Sequence, residues 1–186
     1  MGKQVVLVVV NDEKPTNWNL PNVLTSLRII AIPPFAWLVL SERMWWALGV
    51  FVVLMITDKL DGDIARSRGL VTDFGKIADP IADKALMITA LVCLNLVGLM
   101  PWWITVVIVF RELGITIWRM FELRKGNVVP ASRGGKLKTV LQAVAVALYL
   151  IPGAKLVALP VMLAAVAITV VTGVQYVVEA RKLNAK

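Results

Sequence analysis

Apolar runs close to membrane-spanning length recur along this chain, cut by short polar or glycine- and proline-bearing connections. A helix that crosses a bilayer needs about 20 mostly apolar residues, and in lipid it must satisfy its own backbone polar groups. Six stretches meet this description: 22–40, 44–62, 79–99, 102–123, 136–152 and 156–178. The composition agrees, with 59% hydrophobic residues and a mean hydropathy of +0.78, where a soluble domain holds about 45–50% apolar residues. The expectation is an all-α integral membrane protein of six transmembrane helices. A polar lead-in occupies 1–19 and one membrane domain occupies 20–186.

Punctuation within the chain supports these spans. Pro152-Gly153 separates the fifth from the sixth, and Gly98 with Pro101 marks a tight turn after the third. Pro33-Pro34 should bend the first. The N-terminal run VVLVVV is too short for a signal sequence and lacks a small-residue cleavage site. Val6 also breaks the N-myristoylation pattern.

The charges orient the chain. The formal net charge is +8. Few cations lie near Ser41–Arg43, 98–101 and 152–155. Lys3, Lys14, Arg66, Arg68, Lys76, Arg124, Lys125, Arg133, Arg181, Lys182 and Lys186 fall at the opposite ends of the spans. Lysine and arginine favour the cytoplasmic side, so both termini and the loops 63–78 and 124–135 are expected there, in a bacterial-type cytoplasmic membrane. Basic residues set between apolar spans suit lipid headgroups and phosphorylated substrates, not nucleic acid. Trp45, Trp46, Trp102 and Trp103 stand at span starts on the outer side, as an interfacial belt would.

With one cysteine, Cys93, and no histidine, the chain has no intrachain disulfide, no Cys/His zinc site and no histidine-activated nucleophile. Its chemistry must come from Asp, Glu, Lys, Arg and hydroxyls.

Carboxylates are concentrated where the second span ends and the third begins: Asp58, Asp61, Asp63, Asp73, Asp79 and Asp83. Asp58 and Asp61 are three apart, and Asp79 and Asp83 four apart, spacings that put side chains on one helix face. If the two helices are antiparallel neighbours, four carboxylates converge at one depth. An aspartate at the centre of a membrane helix costs ~2.5–3.5 kcal/mol, less near the ends. Hard divalent cations with oxygen ligands offset such charge, and two-metal sites favour in-line displacement at phosphorus. Asp63 and Asp73, off that face or in the loop, read as solvated interface residues. Gly62 and Ala65 leave room for a ligand, and Arg66 can fork onto phosphate oxygens. Gly75 serves either the site or close helix packing.

Taken together, Asp58-x2-Asp61-Gly62-x2-Ala65-Arg66-x8-Gly75-x3-Asp79-x3-Asp83 resembles the complete signature of the CDP-alcohol phosphotransferases. The resemblance implies a reaction in which an alcohol attacks the β-phosphorus of a CDP-linked substrate and CMP leaves. It implies two divalent cations, Mg2+ or alternatively Mn2+, held by Asp58, Asp61 and Asp79 with Asp83 near them, and Asp83 as general base. It also implies a CDP pocket lined by Gly62, Ala65 and Arg66, and a homodimer.

Three further segments, NLPNVLTSLRIIAIP (19–33), RELGITIWR (111–119) and PASRGGKLKTVLQ (130–142), resemble the phosphatidylglycerophosphate synthases, a branch of that family. That branch joins CDP-diacylglycerol to sn-glycerol 3-phosphate. A phosphorylated acceptor also fits the cations. Arg111 lies well inside the fourth span, where arginine must face a polar cavity or a partner. Arg28, Arg111, Ser132, Arg133, Lys136 and, less centrally, Lys138 are the candidates for the acceptor phosphate. Arg133 and Lys138 also suit an ordinary positive flank. Glu112 and Arg119, seven apart, share nearly one face and would brace the region. Asn22 and Thr25 either contact the CDP-lipid or cap the first helix. The rival readings are a phosphatidylinositol phosphate synthase or cardiolipin synthase of the same family and, more remotely, a cation transporter.

Overall fold

The structure, a computed structural model, describes residues 20–67, 72–124 and 133–184. It holds six helices and, among the described residues, no strand: α1 Leu20–Leu40, α2 Met44–Ser67, α3 Asp73–Leu96, α4 Trp102–Arg124, α5 Arg133–Tyr149 and α6 Lys155–Asn184. α1 and α6 are long and apolar enough to cross a membrane. Large apolar side chains also face outward on the other helices, including Val53, Ile81, Phe110, Ile117 and Val140.

The turns at one end form for identifiable reasons. After α1, Arg43 N–H reaches Leu38 O at 2.9 Å and Glu42 N–H reaches Val39 O at 3.0 Å, the paired bonds of a Schellman cap. The left-handed position of that cap is filled by Glu42, at φ 56°. After α3 the same pattern recurs, with Leu99 N–H on Leu94 O at 3.0 Å and Gly98 at φ 73°, where glycine carries no Cβ penalty. Gly153, at φ 85°, turns the chain between α5 and α6.

One expectation needs correcting. Much of the stretch 63–78 is helical: α2 runs on to Ser67 and α3 starts at Asp73, so Asp63 and Asp73 lie on helices. Hydropathy drops where charges begin, but helical hydrogen bonding continues, and Thr72-Asp73 are residue types that start helices. α2 and α3 converge at Asp58 and Asp83, whose carboxylates share one Arg28 nitrogen. α1 packs extensively against both, and among the described residues α2 and α3 make no comparable contact with each other. On the other side, α5 packs along α6, α4 leans on α6, and α3 bridges to α4 and α5.

Polarity divides the bundle lengthwise. The apolar core, including Phe35, Phe51, Leu86, Leu94, Ile104, Val146 and Met162, fills the half near the Gly98 and Gly153 turns. Phe35 and Phe51 pack with ring centroids 5.8 Å apart. The other half buries Asn22, Thr25, Arg28, Thr72, Lys138, Gln142, Thr169 and Thr172. A buried polar group costs free energy unless it is paired, so that end is where a function is to be sought.

Candidate active site

The site begins with α1. Arg28 is 1% exposed, and its Nη1 lies 2.6 Å from Asp58 Oδ1 and 3.1 Å from Asp83 Oδ1. One nitrogen from α1 therefore joins a carboxylate of α2 to one of α3. Three residues before Arg28, the buried Thr25 donates through Oγ1 to Asp79 Oδ1 at 2.5 Å. Three before that, Asn22 Nδ2 donates to Thr72 Oγ1 at 2.8 Å, and Thr72 Oγ1 approaches Asn22 Oδ1 at 3.0 Å. The three-residue spacing sets Asn22, Thr25 and Arg28 along one face, directed at the start of α3. Because α1 begins at Leu20, Asn22 lies inside the first turn. Its side chain and that of Thr25 tie α1 to Thr72, just before α3, and to Asp79 of α3.

Asp58, Asp79 and Asp83 all line one cavity of about 330 Å³. Apolar residues Met55, Met87, Ile88, Leu91 and Ile108 form much of its wall, and Lys84, Glu112, Thr139 and Gln142 close its other side. Glu112 is the centre of a second cluster. Its Oε1 accepts from Arg111 Nη1 at 3.1 Å and from the ammonium of Lys138. Arg111 Nη2 donates to Thr172 Oγ1 of α6 at 3.0 Å. A Cβ added to Gly173 would meet Arg111 Cγ at 3.4 Å, so this glycine makes room for the arginine.

The predicted residues thus fall into three sets. Asp58, Asp79, Asp83, Arg28, Thr25 and Asn22 gather where α1, α2 and α3 meet. Arg111 and Lys138 lie with Glu112, which lines the same cavity as the three aspartates. Gly62 lies in α2 beyond Asp58, and Gly75 in the first turn of α3. The side chains of Asp61, Ala65, Arg66, Arg119, Arg133 and Lys136, and the whole of Ser132, lie outside the described residues. Arg28 belongs with the aspartates, away from Arg111 and Lys138. Glu112 braces Arg111 and Lys138; the expected part of Arg119 in this bracing lies outside the described residues. Sequence reasoning did not single out Lys84, Thr116, Gln142 or Thr172. Lys84 was detectable by the logic applied to Arg111: it is a cation inside an apolar span.

The chemistry of the donors suits a hard cation, since every acid facing the aspartate end of the cavity offers carboxylate oxygens. Among the described residues the acids do not close into a three-ligand cluster, and Arg28 offsets part of their charge.

The sequence profile of the CDP-alcohol phosphatidyltransferases matches residues 18–173, a segment that contains both clusters. The chain belongs to the CDP-alcohol phosphatidyltransferase family. Members of this family generally use divalent cations, in keeping with the oxygen-rich site. Among curated relatives, a probable phosphatidylglycerophosphate synthase of Mycobacterium tuberculosis is 45% identical over 171 residues, covering 87% of this chain and 81% of its own. A CDP-diacylglycerol–glycerol-3-phosphate 3-phosphatidyltransferase of Bacillus subtilis is 37% identical over 180 residues, covering 86% of this chain and 93% of its own. A protein of the same name from Cereibacter sphaeroides is 38% identical over 139 residues, covering 71% of this chain and 63% of its own. In this phosphatidyltransferase both clusters reach one cavity, the first through Asp58, Asp79 and Asp83 and the second through Glu112.

Proposed function

We propose that this protein transfers the phosphatidyl group of CDP-diacylglycerol to sn-glycerol 3-phosphate, releasing CMP and forming phosphatidylglycerol phosphate. The observation that carries the reading is the single cavity lined by Asp58, Asp79, Asp83 and Glu112, with Arg111 and Lys138 paired to Glu112. The names of relatives covering most of the chain point the same way.

In this reading Asp58, Asp61, Asp79 and Asp83 hold two divalent cations of the magnesium type. When bound, these supply positive charge against the transferring phosphoryl and the departing CMP. Asp83 takes the proton from the acceptor hydroxyl as its oxygen attacks the β-phosphorus, and the bond from that phosphorus to the CMP oxygen breaks. Arg28 fixes Asp58 and Asp83 relative to each other, and Thr25 fixes Asp79. The contact of Arg28 with Asp58 and Asp83 supports a role for it beside the acids. Gly62, Ala65, Arg66 and Gly75 border the CDP moiety, near Asn22 and Thr25. Arg111 and Lys138, with Ser132, Arg133 and Lys136 from the start of α5, receive the acceptor phosphate, and forked or charge-assisted bonds to phosphate favour such groups.

The same reading makes residues 20–186 one membrane domain of six spans, homodimeric, with the aspartate end and both termini on the cytoplasmic side. The charge asymmetry of the chain and the apolar side chains that face outward support it.

The deciding experiment is CMP release by purified protein in detergent with CDP-diacylglycerol and magnesium. Glycerol 3-phosphate, inositol phosphate or phosphatidylglycerol is added in turn. Release with glycerol 3-phosphate alone, abolished by chelation, is expected. Release only with another acceptor would transfer the protein to another branch of the family.

A further inference from the structure

The cavity that carries the aspartates contains one cation that the scheme above leaves without a task. Lys84 follows Asp83 directly, so its side chain leaves α3 roughly 100° further around the axis. It crosses to α4, where its ammonium donates to Thr116 Oγ1. Thr116 Oγ1 in turn donates to the backbone carbonyl of Glu112 at 2.7 Å. Two helices thus hold the Lys84 ammonium beside the Glu112 turn, and both Lys84 and Glu112 line the cavity.

The neighbours of Lys84 define its setting. Lys138 is 5% exposed and feels the like charges of both Arg111 and Lys84. Glu112 answers Lys138 and Arg111 through the same oxygen. Three basic side chains, Lys84, Arg111 and Lys138, thus gather about the Glu112 turn. Cations crowded into a partly apolar pocket repel one another, and a shared anion relieves this. A phosphomonoester, whose second pKa is about 6, is largely a dianion at neutral pH and suits such a set of donors.

We propose that Lys84 is an acceptor-binding residue whose ammonium contacts the phosphate of a phosphomonoester alcohol, setting the preference for phosphorylated over plain alcohols. Its place in the chain gives the acceptor a polarity. The phosphate is held toward Lys84, Arg111 and Lys138, while the hydroxyl is directed at the adjacent Asp83. This inference rests on the glycerol 3-phosphate reading above. The opposing role is purely local: Lys84 would then balance the aspartates and act on metal and CDP-lipid as much as on acceptor.

The test uses the full chain in lipid nanodiscs with magnesium. It measures KM for glycerol 3-phosphate and for CDP-diacylglycerol, and the shift in thermal unfolding caused by glycerol 3-phosphate without CDP-lipid. Losing a charge-assisted bond should raise the glycerol 3-phosphate KM of Lys84→Gln about tenfold or more, leaving the CDP-diacylglycerol KM within about twofold. The thermal shift should disappear in Lys84→Gln and largely persist in Lys84→Arg, which keeps the charge. Lys84→Met replaces the glutamine variant if that one does not fold. An unchanged glycerol 3-phosphate KM, or an equal rise in both KM values, would overturn the proposal. Failure of the underlying reading is seen separately, because the unaltered protein would then release no CMP with glycerol 3-phosphate.

Discussion

Arg28 and Asp83 show how much of this site depends on single atoms. One Nη1 serves two carboxylates, so the guanidinium holds together acids that come from two helices. A buried cation flanked by acids is costly to lose, because its partners are left uncompensated. Asp83 lies at the junction of the two halves of the cavity: it touches Arg28 on one side and precedes Lys84 on the other. Asp83→Asn keeps the shape and removes the proton acceptor. It is expected to lower turnover by about 100-fold or more, the scale of general-base catalysis, while largely sparing CDP-lipid binding. Single-turnover CMP release together with a CDP-lipid binding assay checks this. Activity within a few-fold of the parent would remove Asp83 from the role of base.

Among the elements, α1 does the most to assemble the site, although it contributes none of the four signature aspartates. It lies against both α2 and α3, and its Asn22–Thr25–Arg28 face supplies hydrogen bonds and charge to the acidic helices. The cap that ends α1 offers a separate prediction. Glu42 occupies a left-handed position at φ 56°, a conformation that costs a residue with a Cβ about 1–2 kcal/mol. Glu42→Gly is therefore expected to stabilise the folded protein by about 1 kcal/mol, seen as a higher thermal midpoint in detergent with unaltered activity. No increase would mean that Glu42 gains an offsetting interaction at the turn.

At the scale of the whole molecule, the apolar core and the polar site occupy opposite ends of one bundle. The tryptophans at positions 45, 46, 102 and 103 face outward at the starts of α2 and α4, next to the apolar core and far along the helices from Asp58 and Asp83. In the six-span reading the two ends lie on opposite sides of a bilayer. Cys93 is buried, so single cysteines introduced at Ser41 and Ser67 can be labelled against a quiet background. In oriented vesicles a membrane-impermeant thiol reagent should reach the position 41 cysteine from outside and the position 67 cysteine only after the vesicles are opened. Labelling of both from the same side would refute that topology.

The sequence alone determined the six helices, because membrane-length apolar runs broken by Gly98, Pro101 and Pro152-Gly153 leave the backbone few other solutions. It also singled out Asp58, Asp79 and Asp83, which meet at one cavity, since three- and four-residue spacings make one helix face. The helix ends near Ser67 and Asp73 were less legible, because hydropathy marks where lipid ends and not where helical hydrogen bonding does. Only the tertiary structure decided who stands beside whom. Nothing in the sequence of α1 announces that it lies between α2 and α3, or that Arg28 meets Asp58 rather than Arg111. Nor does local sequence reveal that Glu112 answers Lys138, 26 positions away, or that Lys84 crosses to Thr116. Periodicity fixes the face a residue occupies on its own helix. Which face of another helix it meets depends on how all six pack, and the acceptor side of this cavity is built from such meetings.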